Sequence, residues 1–158
     1  MLTTIVSCIK NVDFDQANDI TITPVVKSTL IHFDITESNF NTTNYKTDIS
    51  EFQIFENGVA QHNTVKMDFL FDMENTFNKD INILYQFLDE NLNIVGSINL
   101  VSEHSTDKIE TVTFENNDLN DLLNTKSIQV TISISDTVNL TPEMYFNFKS
   151  ALHIHLKI

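Results

Sequence analysis

Period-two alternation of apolar and polar side chains constrains this chain more than any other feature. Val65, Met67, Phe69, Phe71 and Met73 fall on one side of a strand while Lys66, Asp68 and Asp72 fall on the other. That is the pattern of an antiparallel strand with one face in a core and one in water. It recurs in Ile81, Ile83, Tyr85 and Phe87, in Ile94, Ile98 and Leu100, and in Ile128, Val130, Ile132 and Ile134. The longest run is C-terminal, from Met144 to Ile158, with a bend expected near Ser150 and Ala151. Thr21 to Ile35 reads as one strand kinked at Pro24 or as two shorter ones, because proline cannot donate to a ladder. Glu51 to Phe55 and Ile109 to Phe114 read as short strands, and the segment 39–44 with Tyr45 reads as a loop.

Turn chemistry sets the connections. Asp89-Glu90-Asn91 interrupts two strands as a hairpin does, and Asn57-Gly58 is a turn dipeptide after Phe55. One segment, 117–124, changes period: Leu119, Leu122 and Leu123 sit at helical spacing with Asp118 as a cap candidate. The expected fold is therefore all-β, an antiparallel two-sheet β-sandwich of immunoglobulin-like or Greek-key type. It should have about eight strands and one short helical crossover. An eight-stranded outer-membrane barrel shares the alternation but needs aromatic girdles. Here Trp is absent and Tyr occurs only at positions 45, 85 and 145.

Charge removes whole classes of function. The chain of 158 residues has 9 basic and 22 acidic side chains, a net charge of −13, and every basic one is lysine. Nucleic acid is not an expected partner, because nine lysines among so many carboxylates cannot displace counterions from phosphates. The folded body is likewise repelled by anionic lipid, so membrane attachment requires a covalent anchor or a partner. No run reaches the roughly 18 apolar residues of a membrane helix. The single cysteine, Cys8, can make no internal disulfide.

Residues 2–8 read Leu-Thr-Thr-Ile-Val-Ser-Cys. Apolar Ile5 and Val6 followed by small Ser7 and Cys8 resemble a bacterial lipoprotein processing box, in which the cysteine thiol receives a diacylglycerol and becomes the first residue. Residues 9–19 are polar and carry Asp13, Asp15 and Asp19, an acidic tether whose eleven positions span at most about 36–40 Å. With the acidic, Asn/Thr/Ile-rich sandwich, the chain is similar to small cell-envelope lipoproteins of the Bacteroidota. That resemblance divides it into a residual signal-peptide end and lipobox at 1–8, a tether at 9–19 and one sandwich domain at 20–158. It implies lipidation at Cys8, an outer-membrane-anchored location in the cell envelope and an envelope protein or glycan as partner.

The candidate chemistries are sparse. His153 and His155 form an H-x-H pair whose rings share one face of a strand, and such a pair chelates zinc or copper only with a third ligand. Solvent-facing histidines opposite an apolar stripe are the simpler expectation, so no metal and no cofactor is expected. Asp13, Asp15 and Asp19 lack the glycine and glutamate of a helix-flanked calcium loop, since Asn18 and Pro24 stand there. Glu103-His104-Ser105 holds the residue types of nucleophilic hydrolysis, but adjacency does not make a relay. Asp89 and Glu90 pair two carboxylates, as glycoside hydrolysis requires, on what reads as a hydrated turn. Tyr45 and Phe40 are candidates for a sugar platform, although phenylalanines near loops, such as Phe40 and Phe77, more often plug a sandwich end. No catalytic residue is expected and the chain is not expected to be an enzyme. The expected function is a non-catalytic envelope lipoprotein that binds or serves an outer-membrane assembly. The alternatives are a carbohydrate or small-ligand binding module and a structural or virion-like sandwich without lipid.

Overall fold

The computed structural model describes residues 24–40, 43–56, 58–136 and 139–157. Eight strands form two antiparallel four-stranded sheets. They are β1 (Val25–Thr36), β2 (Tyr45–Glu51), β3 (Thr64–Asn75), β4 (Ile81–Leu88), β5 (Ile94–Ser102), β6 (Thr106–Glu115), β7 (Ser127–Ile134) and β8 (Tyr145–Leu156). Two short helices, α1 (Val59–Asn63) and α2 (Asn117–Leu122), lie between them. Sheet A has the order β1-β8-β3-β6 and sheet B the order β2-β7-β4-β5. Only β4 to β5 is a hairpin within a sheet; every other link crosses from one sheet to the other. The two-sheet sandwich is the one expected. Its strand order makes it a jelly roll, two interleaved Greek keys, and not the immunoglobulin arrangement.

The strongest alternation marks the strands that lie centrally. In β8 and β3 of sheet A, and in β7 and β4 of sheet B, nearly every second residue is buried. Phe69 and Phe71 of β3 reach across to Tyr85 of β4, with ring centroids 6.2 and 5.4 Å apart, and Phe69 stands 4.9 Å from Phe87. Several of these pairs cross edge to face or tilted, the arrangement that aligns a ring's positive edge with its neighbour's negative face.

Several local expectations are corrected. Residues 21–23 lie outside the described residues, so the expected kink at Pro24 falls at their boundary; β1 begins at Val25, and its irregularity is a register shift between Thr29 and Ile31 against β8. β8 runs unbroken from Tyr145 to Leu156, with no bend in its pairing to β3 at Ser150 and Ala151. The bulge belongs to the partner strand, and Ser150 accommodates it: its Oγ accepts from the Ile31 N–H at 3.2 Å and lies 3.4 Å from the Tyr85 hydroxyl. Glu51 closes β2, and Phe52 and Phe55 turn inward from the connection as core residues, not as a strand. Gly58 adopts a φ of 67° at the start of α1, the left-handed conformation that glycine tolerates. α2 begins after Asn116, so Asp118 is not its cap, and its buried Leu119 and Leu122 close the end of the sandwich.

Asn75, at the end of β3, is buried and holds that crossing together. Its amide donates to the carbonyls of Lys79, Ser102 and Glu103 at 3.0–3.1 Å, and its Oδ1 accepts from the Phe77 N–H at 2.9 Å. Asn75→Ala would leave these groups unpartnered and should cost about 2–4 kcal/mol, read as a lowered urea midpoint at unchanged slope. A second close contact fixes α2 to β5: a methyl on Gly96 would stand 2.6 Å from Leu122 Cδ2. Gly96→Ala should lose about 1–3 kcal/mol, and a Gly96→Ala/Leu122→Ala double variant should show clear non-additivity in the same unfolding assay.

Candidate interaction surfaces

The two sheets present opposite chemistries to solvent. Strand pairing places Lys27, His153, Asp68 and Thr113 in one outward row of sheet A, and His32, Lys149, Asp72 and Ile109 in another. Asp34, Asn147, Glu74 and Asp107 form a third. The corresponding rows of sheet B are Tyr45, Ser133, Asn82 and Val101; then Thr47, Thr131, Leu84 and Asn99; then Ile49, Gln129, Gln86 and Ser97. None of these twelve residues is charged, and Glu51, at the end of β2, borders them.

On sheet A several of the charges are held by neighbours. Asp68 accepts from Thr113 Oγ1 at 2.6 Å and His155 Nε2 at 2.8 Å, and Lys66 Nζ lies 3.1 Å from it. Burial pushes the Asp68 carboxyl upward, but the hydrogen bonds from Thr113, Lys66 and His155 outweigh it and hold the group below its usual range. Asn147 bridges His32 and Asp34, and the Tyr145 hydroxyl donates to Glu74, which raises the tyrosine's pKa. On sheet B the pairings are neutral: the Thr47 and Thr131 hydroxyls meet at 2.8 Å, and Gln129 Nε2 donates to Gln86 Oε1 at 3.1 Å. This face offers amides, hydroxyls and apolar patches without a field.

The sequence candidates sort accordingly. His153 and His155 share an outward face as their spacing predicts, but His155 is engaged by Asp68. Among the described residues no group of three or more His, Cys, Asp or Glu side chains is placed to hold a metal ion. His104 is held by Asp80, whose Oδ1 accepts its backbone N–H at 2.9 Å and faces its Nδ1 at 3.1 Å. Ser105 has a φ of 53° and donates its N–H to the Phe77 carbonyl, and the His104 ring faces Asp80 and not Glu103 or Ser105, so the three are not joined as a relay. Asp89 spends both oxygens on the hairpin, receiving the Asn93 side chain and the N–H groups of Asn93 and Asn91, which lower its pKa. Phe40 and Phe77 are buried and meet edge to face 6.0 Å apart, plugging one end of the sandwich. Tyr45 is exposed, but it stands on β2 and not in a loop, so it forms no platform with Phe40. Cys8 and the acidic segment 9–19 lie outside the described residues.

No family model matches the sequence, and no curated protein matches it either. Solved structures match by fold. A protein of Parabacteroides distasonis described as secreted superposes with a TM-score of 0.50 at 12% identity, over 70% of this chain and 38% of its own. The VP2 subviral particle of infectious bursal disease virus gives 0.48 at 9% identity, over 85% of this chain and 32% of that one. A Bacillus endospore appendage, a disulfide-linked pilus, gives 0.39 at 9% identity over 98% and 99%. The chain thus spans about a third of the length of the first two. At 12% identity the likeness to the Parabacteroides protein is one of fold alone. No described helix is long and apolar enough to cross a membrane.

The lowered pKa of Asp68 makes its network acid-sensitive. A carboxyl depressed in the folded state contributes stability that is complete above the unfolded value near 3.8 and is lost as the pH falls through the folded one. Wild-type stability should therefore fall on acidification below about pH 4 more steeply than that of Asp68→Asn. Urea melts of both proteins at a series of pH values check this through the difference between the two curves.

Proposed function

We propose that this protein is a non-catalytic accessory subunit of the bacterial cell envelope, anchored through a lipid on Cys8, that binds a protein partner with the outer face of sheet B. The observation that carries this reading is the absence of charge from three consecutive rows of that face in a chain of net charge −13. Solvent alone favours charged residues on an exposed sheet, as on sheet A. A face of threonine, glutamine, asparagine and exposed Tyr45 and Ile49 has less desolvation to overcome than a charged one when a partner covers it and meets its hydrogen bonds. A fold shared with a Parabacteroides protein described as secreted agrees with an extracytoplasmic location. The processing-box resemblance at Cys8 supplies the anchor that the acidic body otherwise lacks.

Two experiments in the native host test the proposal. Replacing Cys8 by Ser should move the protein from the membrane fraction to the soluble fraction and abolish labelling by a radioactive fatty acid; unchanged partition removes the anchor. A photo-crosslinking residue at Leu84 or Thr131, on the uncharged face, should yield discrete protein adducts, and one at Asp72, on the opposite sheet, should not. Adducts from Asp72 alone would reject the assignment of the face.

A further inference from the structure

Among the described residues a jelly roll leaves four strands with an unpaired side, here β1 and β6 in sheet A and β2 and β5 in sheet B. Such edges are templates for further strand pairing, and proteins protect them with charges, prolines or bulges. Three of the four are protected in this way. β1 carries Lys27 and Asp34 and is broken by its bulge. β2 carries Lys46, Asp48 and Glu51, with Lys46 and Asp48 on the side that faces the other sheet. β6 carries Asp107, Lys108, Glu110 and Glu115.

β5 is different. From Ile94 to Ser102 it reads Ile-Val-Gly-Ser-Ile-Asn-Leu-Val-Ser, without a charge or a proline. Its one irregularity lies at its start, where Phe87 pairs with Gly96 and Leu88 with Ile94, so that Gly96 to Ser102 runs in unbroken register against β4. Large apolar side chains on β5 and the turn before it are exposed: Leu92 at 63%, Ile94 at 60% and Val101 at 44%.

From this flank we infer that β5 is a self-association edge, at which two copies of the chain pair antiparallel and join their B sheets into one eight-stranded sheet. The inference goes beyond the proposed function and does not depend on it, since it uses an edge of sheet B and leaves the outer face free. Charge selects the occupant. A molecule of net charge −13 repels its own copies over most of its surface. A charged foreign strand would find no counter-charge on β5 to select it. A second β5 brings no charge into the strand pair itself, which leaves only the longer-range repulsion between the acidic bodies for salt to screen.

The strand is also self-complementary. A two-fold axis at Asn99 sets Asn99 against its own copy, Ser97 against Val101 and Ile98 against Leu100. Ile98 and Leu100 then meet on the inner face, and Asn99 meets its copy on the outer one, flanked by Ser97 and Val101. Seven residues in register give a ladder about 23 Å long. That is a modest contact, of the reversible class of interface.

The test uses the chain carrying Cys8→Ser, so that no other thiol is present. Sedimentation equilibrium should show a reversible dimer that strengthens as salt rises from about 0.05 to 0.5 M, because screening relieves the repulsion between acidic bodies. Asn99→Lys should weaken the dimer at least about tenfold by setting like charges directly opposite each other, with unfolding by urea little changed. Asn99→Cys should oxidise to a covalent dimer, and Thr47→Cys on the β2 edge should not.

A chain that remains monomeric at all concentrations, or a dimer that survives Asn99→Lys but is lost in Leu84→Lys, would overturn the β5 assignment. Either result leaves the Leu84 and Asp72 crosslinks of the proposed function to be judged separately.

Discussion

The fold turns on a single contact across the sandwich, the aromatic layer in which Phe69 and Phe71 of β3 meet Tyr85 and Phe87 of β4. β3 and β4 are consecutive in the chain yet belong to different sheets, so this layer joins the halves where the backbone crosses between them. Rings of this size bury a large apolar area each, and their edge-on geometry adds direction to a force that otherwise has none. The layer carries one polar demand. Tyr85 is fully buried, and burial raises its hydroxyl pKa far above the ordinary value, so it stays neutral and takes Ser150 as its partner. Ser150 in turn accepts from the N–H of Ile31 beside the β1 bulge. The irregular edge strand and the aromatic centre are thereby joined through one hydroxyl.

This arrangement explains which parts of the fold were legible in the sequence. Strands β3, β4, β7 and β8 are central, so water lies on one face and the core on the other, and alternation records that directly. β2 is an edge strand whose inward positions are Lys46, Asp48 and Ser50. With no buried face it leaves no period to detect, which is why Tyr45 reads with the loop at 39–44 and the short strand is expected only from Glu51 onward. The irregularity near Ser150 is misplaced for a related reason: it is read from one strand, whereas a bulge belongs to a pair, and here the shift lies on β1 between Thr29 and Ile31, opposite Ala151 and Ser150.

The candidate surfaces were less legible still. The uncharged face is assembled from residues 45–49, 82–86, 97–101 and 129–133, four separate segments that become neighbours only through the jelly-roll order. No local pattern marks them, because an outward Thr, Gln or Asn satisfies the alternation of a strand as well as an outward Lys or Asp does. His153 and His155 show the opposite case. The spacing gave their shared face correctly, but their chemistry is set by Asp68, a residue of another strand that takes His155 as a hydrogen-bond donor.

The distribution of charge is then best understood as a division between two sheets made of the same kind of strand. On sheet A each carboxylate beside a cation or donor lowers the cost of an acidic surface, and the pairs Lys66–Asp68 and His155–Asp68 are cross-linked within one layer. Such pairs bind little beyond each other, because their donors and acceptors are already occupied. On sheet B the Thr47–Thr131 and Gln129–Gln86 contacts hold side chains in place without adding a field, and the neighbouring Asn82, Asn99 and Ser97 stand exposed on the same sheet. A molecule with an excess of negative charge on all sides would be soluble and solitary. Confining that excess to one sheet, the protected edges and the loops leaves a neutral sheet on which contact carries little electrostatic cost, and that separation is a property of the strand order as much as of the composition.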